Sequence, residues 1–324
     1  MDSFLFAFHA LAPLLVLALI GYFLRAKFLS DEFIVHLNRY IFYVALPVLI
    51  FVTIADMEGI TQIAWEVIVF AVLSIFVVTL LAYAFLRWRN TASRERPVLL
   101  QAFFRGNFVL IGFPLVMRIG GVDSLRNLVI LNAFLVPIAN FGSILVFRLN
   151  GSSGRFSMNA FMDLMKTTMK NPLMVAIFAG LVAFALRAPL GGVFEDAVVV
   201  PDTLDLISDT ATPMALIAVG GQFRVERVKA FLNPILISVI GRLIVVPIVV
   251  FLVAYSLRTI IPFENSWAAL IALFASPVAI SSVAVTQGLD GDEELASQIV
   301  IWTTATAVFT LFIFVAVFRA AGLL

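Results

Sequence analysis

The chain has 324 residues, of which 62% are hydrophobic and only 13% charged, with a formal net charge of +1 and no cysteine. Soluble domains run at about 45–50% apolar and about 25% charged, so this composition describes an integral membrane protein. The balanced charge offers no basic face to a nucleic acid, and the absence of thiols excludes a disulfide framework or a thiolate metal site.

The first stretch, MDSFLFAFHALAPLLVLALIGYFLRAK, has no cations ahead of its apolar run and carries them after it. It therefore reads as a spanning helix kept in the mature protein rather than a cleaved signal. A helix needs about 20 mainly apolar residues to cross about 30 Å of hydrocarbon. Ten such segments fall at 4–24, 34–54, 65–86, 98–118, 125–147, 172–187, 203–223, 234–257, 267–286 and 296–318. The expected fold is an all-α, polytopic bundle, because the runs are too long and too continuously apolar for the alternating strands of a membrane barrel.

Loop cations orient the spans. After spans 1, 3, 5 and 7 come Arg25, Lys27 and Arg39; Arg87, Arg89, Arg94 and Arg96; Arg148, Arg155, Lys166 and Lys170; and Arg224, Arg227 and Lys229. That places 14 cations on one side against 5 on the other, namely Arg118, Arg126, Arg187, Arg258 and Arg319. The richer side is expected to be cytoplasmic, with both termini on the opposite side. The ninth connection, GLDGDEELASQ, is acidic, and its acids suit the start of span 10.

The chain repeats itself. Pro13 and Pro172 each open a Pro-Leu span with a glycine eight residues on, at Gly21 and Gly180. Pro47 in span 2 answers Pro213 in span 7, and Pro114 in span 4 answers Pro277 in span 9. Spans 4 and 9 are each followed by a Gly-x-Asp turn, Gly121 to Asp123 and Gly288 to Asp290. Two five-span units are expected, 1–150 and 171–324, joined by a cytoplasmic linker at 151–170. Because five is odd, the second unit enters the membrane inverted, the pattern of secondary transporters with a midplane site. In the linker, Met158, Phe161, Met165 and Met169 have helical spacing among lysines, which suggests an interfacial helix.

Proline inside a helix removes a backbone bond at a cost of about 3 kcal/mol. We therefore expect breaks at Gly112-Phe113-Pro114 and at Ser276-Pro277, with Ser276 as an N-cap. If the two breaks cross, half-helix N-termini converge and supply amides to a carboxylate without any charged side chain. Asn107, Ser281, Ser282, Thr286, Asn132, Thr303, Thr304 and Thr306 are polar groups available to a ligand; for the hydroxyls, bonding back to their own helix is the competing role. Arg105 and Arg242 each lie within a span, and two readings stand: drawing anions to the site, or snorkelling to the interface. Asp209, before Pro213, is a candidate carrier of a coupling proton; a solvated vestibule or a capping role is the plainer account. His9 and His36 are far apart and suggest no metal site.

NFVLIGFPL (Asn107, Gly112, Pro114), the ALP of span 2 (Pro47), NPL at Asn171–Pro172 and ASPVAISS around Pro277 carry a resemblance to a bacterial member of the auxin efflux carrier family over essentially the whole chain. The resemblance implies ten helices in two inverted halves crossing at spans 4 and 9. It implies a scaffold of spans 1, 2, 6 and 7 that forms a homodimer through spans 2 and 7, and a moving unit of the remaining spans in a bacterial inner membrane. Its implied substrates are small organic anions, auxin-like or malonate-like, with Asn107, Pro114 and Pro277 at the site. No cofactor is implied; bile acid sodium symporters are similar in plan, which leaves H⁺ or Na⁺ open as the coupling ion. An anion channel or a membrane sensor on the same fold is the alternative. His-Glu-x-x-His, a nucleophile elbow and paired Gly-x-Gly-Asp aspartates are all missing, so an enzyme is not expected.

Overall fold

The computed structural model describes residues 2–25, 27–57, 65–150, 166, 169–195, 199–222 and 231–324. The described residues are helical throughout apart from connections and one isolated backbone bridge. The helices are α1 (Asp2–Arg25), α2 (Asp31–Ala55), α3 (Trp65–Trp88), α4 (Arg96–Phe104), α5 (Phe108–Leu149), α6 (Pro172–Glu195), α7 (Val199–Gly221), α8 (Leu232–Leu257), α9 (Trp267–Ala275), α10 (Ser281–Gly288) and α11 (Glu293–Ala320). Among the described residues six of them, α1, α2, α3, α5, α8 and α11, are long and apolar enough to cross a membrane. The chain is a polytopic membrane protein. The interfacial helix expected around Met158, Phe161 and Met165 falls outside the described residues.

Helix ends follow local chemistry. Ser30 caps α2 by accepting from the Phe33 amide at 3.1 Å, and Asp31 and Glu32 occupy the positive end of its dipole. Asp292 caps α11 through the Leu295 amide at 3.0 Å, with Glu293 and Glu294 behind it, as the acidic connection suggested. Between spans 4 and 5 the chain turns inside α5 at Gly121, whose φ of 69° and ψ of −166° only glycine adopts without strain. The matching turn after α10 holds Asp290 at φ 54°.

Three prolines have a shared local remedy. Pro47, Pro114 and Pro247 each stand two residues past a π-turn, at Ile41–Ala45, Phe108–Gly112 and Gly241–Val245. A helical proline offers no N–H to the carbonyl four residues back and its ring collides with that carbonyl. The widened turn holds that carbonyl, on Tyr43, Leu110 or Leu243, and takes up the mismatch. This corrects the expected break at Gly112-Phe113-Pro114. Span 4 stays helical there and is broken further upstream, at Arg105–Asn107. In span 9 the break does contain its proline, running from Ser276 to Ile280.

Close backbone packing joins several of the helices. α1 lies along α7, and α2 lies on α6 and α7. A methyl on Gly21 would run into the Ile217 carbonyl and one on Gly220 into the Ala18 carbonyl, so the backbones of α1 and α7 touch. Gly180 plays the same part between α6 and α2, where a Cβ would meet Ile54 at 2.9 Å and the Phe51 carbonyl at 3.1 Å. The glycines that matched in sequence, Gly21 and Gly180, thus do equivalent work. Every residue of α4 and of α9 is buried, so these half-helices lie at the centre of the bundle.

Side-chain bonds also sort the connections by end. Arg25 donates to the Gly221 carbonyl and Gln222 Nε2 to Asn38 Oδ1, tying the start of α2 to the end of α7. Arg96 reaches Asn150 Oδ1 at 3.1 Å, and Arg94 pairs with Asp292 at 3.7 Å. At the opposite end Arg126 donates to the Asp56 carbonyl and Asn127 to that of Asn265. These bonds tie the connections after spans 1 and 7 together, those after spans 3, 5 and 9 together, and those after spans 2, 4 and 8 together.

Candidate functional site

The two interruptions meet. Gly106 and Val278 form an antiparallel bridge, with the Asn107 amide donating to the Pro277 carbonyl at 2.7 Å and the Ala279 amide to the Arg105 carbonyl at 3.0 Å. Thr303 on α11 accepts from the Val278 amide at 3.2 Å and donates to Ile299 at 2.7 Å, which braces the span 9 break. Extended backbone at this depth survives only where protein satisfies it. The amides expected to await a ligand are thus partly used up in holding the crossing. The first turn of α5, at Phe108 to Leu110, still begins with amides that have no partner in their own helix.

Arg242 fastens the crossing from behind. It is 1% exposed and donates from Nε to the Ser276 carbonyl at 2.9 Å, from Nη1 to Phe103 at 3.0 Å and from Nη2 to Leu273 at 2.7 Å. These carbonyls end α4 and α9, so one guanidinium satisfies orphan acceptors at both negative helix ends. Gly106 leaves the space this requires, since a methyl there would strike Arg242 Nη2 and approach Ser276 Oγ at 2.7 Å. Ser276 is therefore the C-cap of α9, fully buried, rather than the N-cap expected; its φ of −67° and ψ of 152° begin the break. Neither arginine snorkels to the interface.

Arg105 occupies the other break and faces a cavity of about 620 Å³. Its Nη1 donates to Asn140 Oδ1 at 2.7 Å and Ser143 Oγ at 3.3 Å, and its Nη2 to Ser281 Oγ at 2.9 Å. All three partners are neutral, and no carboxylate lies among the described residues lining the cavity. Arg105 Nε and Asn107 Nδ2 are buried donors with no partner. Leaving such donors unmade costs about 1–3 kcal/mol each, and a guanidinium at membrane depth costs about 2.5–3.5 kcal/mol. An anion with two oxygens would answer both deficits at once. Phe42, Phe108, Val136 and Leu173 make much of the remaining wall apolar, while Asn38, Asn171 and Gln222 place amides toward the cation-rich end.

Of the residues singled out in the sequence, Asn107, Ser281 and Arg105 line this cavity, and Pro277 sits at the bridge above it. Gly112 and Pro114 are buried in α5 away from it; a Cβ on Gly112 would meet Ala272 at 3.0 Å, so that glycine serves close packing. Asn132 is 1% exposed with its Oδ1 unpartnered and does not reach the cavity. Thr304 lines a separate apolar void of about 80 Å³ with Leu11 and Leu216. Asp209 is exposed on α7, outside the cavity. Thr286 bonds Gln101 at 3.1 Å and Thr306 its own helix at 2.7 Å. Asn140 and Ser143, which hold Arg105, were not picked out from the sequence, although the polar run PIANFGS is visible there as small and amide side chains after Pro137.

Interrupted helices crossing around a buried cation, within an all-helical membrane bundle, define a membrane transport protein. A family model described as membrane transport protein matches residues 6–159 and 152–315, and the chain belongs to that family, the auxin efflux carriers. No curated protein matches the chain. The family is one of transporters and not of enzymes.

Proposed function

We propose that this protein is a secondary transporter of small organic anions, and that the substrate carboxylate sits between Arg105 and Asn107 at the crossing. One observation carries the reading. Arg105 is a buried cation with only neutral partners, beside the unpartnered side-chain Nδ2 of Asn107, in a cavity with no acid among its described lining. A carboxylate supplies the missing charge, and the apolar wall accepts an auxin-like or malonate-like carbon skeleton.

The proposed architecture is ten spans in two inverted halves, 1–150 and 171–324. Spans 1, 2, 6 and 7 form the scaffold and a homodimer interface through spans 2 and 7; the other six carry the site in an elevator motion. The equivalent backbone contacts at Gly21 and Gly180 support the inverted relationship. Asn38, Asn171 and Gln222 at the cavity support an opening toward the cation-rich end, which the loop charges assign to the cytoplasm of a bacterial inner membrane. Gradients then decide whether flux runs in or out, with H⁺ or Na⁺ as candidate coupling ions and Asp209 as a candidate proton carrier.

Purified protein heated with a panel of small carboxylates tests the site. One class of acid is expected to raise Tm in the wild type and to lose that effect in Arg105→Gln and in Asn107→Ala. Equal shifts in all three proteins would move the site elsewhere. In proteoliposomes, saturable uptake with counterflow is expected, and an ohmic current would point to a channel instead.

A further inference from the structure

A second recess lies outside the crossing, between α3 and α8. It measures about 440 Å³ and its walls are Val78, Leu81 and Phe85 of α3 and Leu236, Ile240 and Val249 of α8. Phe103 of α4 forms the floor against Gly241, where a methyl would collide with its ring. Only one end is polar, at Arg89 and Asn233. Arg89 is exposed and makes no ion pair among the described residues. Its neighbour Trp88 is 78% exposed, and an outward tryptophan beside arginines marks the membrane interface.

These features give the recess a direction. The cationic mouth stands at headgroup depth, and the apolar walls run from it along α3 to Val78, about 16 Å at about 1.5 Å per residue. That is about half of a hydrocarbon core about 30 Å thick, the depth of one leaflet. We propose that this recess is a binding site for an anionic phospholipid, whose phosphate meets Arg89 and the Asn233 amide and whose acyl chain fills the channel down to Phe103. Basic pockets between helices on the cation-rich side are the places where such headgroups settle. The floor matters for transport, because the Phe103 carbonyl accepts from Arg242 and Gly241 precedes Arg242 in the chain. The lipid tail thus presses on the two residues that seat the fastening guanidinium.

Native mass spectrometry of the detergent-purified protein, titrated with dioleoylphosphatidylglycerol or dioleoylphosphatidylcholine, tests the site. Wild type is expected to retain the anionic phosphatidylglycerol over the zwitterionic phosphatidylcholine. Arg89→Gln is expected to weaken that retention about fivefold, the loss of one surface cation's attraction, and Arg89→Lys to keep most of it. Leu236→Trp, which fills the channel, should abolish retention. Leu145→Trp, in the apolar recess between α3 and α5 that has no cation in its lining, should leave it unchanged. Equal retention of the two lipids by wild type, an unaltered preference in Arg89→Gln, or a loss confined to Leu145→Trp would each overturn the proposal.

Discussion

Arg242 and Gly106 fit as peg and gap: the guanidinium passes through the space that a side chain at Gly106 would fill. The charge of Arg242 is consequently committed to the carbonyls of Phe103, Leu273 and Ser276. The charge of Arg105, on the far face of the same crossing, is left for a ligand.

Replacing Arg242 by methionine keeps much of the bulk and strands three buried acceptors. At about 1–3 kcal/mol for each, Arg242→Met is expected to lower Tm sharply and to reduce the yield of monodisperse protein in size-exclusion chromatography. Lysine can reach only some of the three carbonyls, so Arg242→Lys should recover part of the loss.

Arg105→Gln is expected to behave in the opposite way. Removing a buried cation that has no counter-charge should leave the empty protein as stable as wild type or more so, while the affinity for the stabilising carboxylate falls at least tenfold, about 1.4 kcal/mol. Calorimetric titration beside thermal melts separates the two effects. A variant that melts early and yet binds normally would assign Arg105 a structural role.

Asn107→Asp puts a carboxylate next to Arg105. An internal ion pair then replaces the one offered to substrate, and uptake is expected to be lost while Tm rises. Asn107→Ala should lose binding without the gain in Tm.

Gly106→Ala should fail to assemble a normal crossing, because its methyl displaces Arg242 and crowds Ser276; overpacking of this kind costs about 1–3 kcal/mol, and here it also undoes Arg242's bonds. Pro114→Ala, by contrast, lies beyond the cavity and is expected to leave carboxylate affinity within about twofold. Parallel melts and titrations of the two variants distinguish them from a site centred on Pro114, for which the order reverses.

The six long apolar helices among the described residues were legible because a long apolar run has few alternatives in lipid, and the Gly-x-Asp turns and the acidic start of α11 followed from ordinary capping chemistry. Span 9's break was legible at Pro277. Span 4's was misplaced at Pro114 because proline's steric conflict has a local cure, the π-turn at Phe108–Gly112, that leaves no separate mark in composition. The weaker signal, Gly106-Asn107 behind Arg105, paired two poor helix formers, and it was the true interruption. Arg105 and Arg242 looked alike as buried cations. Only tertiary structure shows that one meets three carbonyls and the other meets Asn140, Ser143 and Ser281. Asn38 lies in α2, Asn171 just before α6 and Gln222 just after α7, so the three could not be grouped by spacing.

The widened turns ahead of Pro47, Pro114 and Pro247 also alter how these helices are to be aligned. Each inserts one residue beyond the regular count, and at 3.6 residues per turn this rotates everything downstream by about 100°. A stripe of side chains followed through α2, α5 or α8 therefore changes faces at the widening. Single-residue deletions at those three places would restore a uniform pitch but bring the proline ring back against a carbonyl, so the insertion and the proline are bound to be gained or lost together.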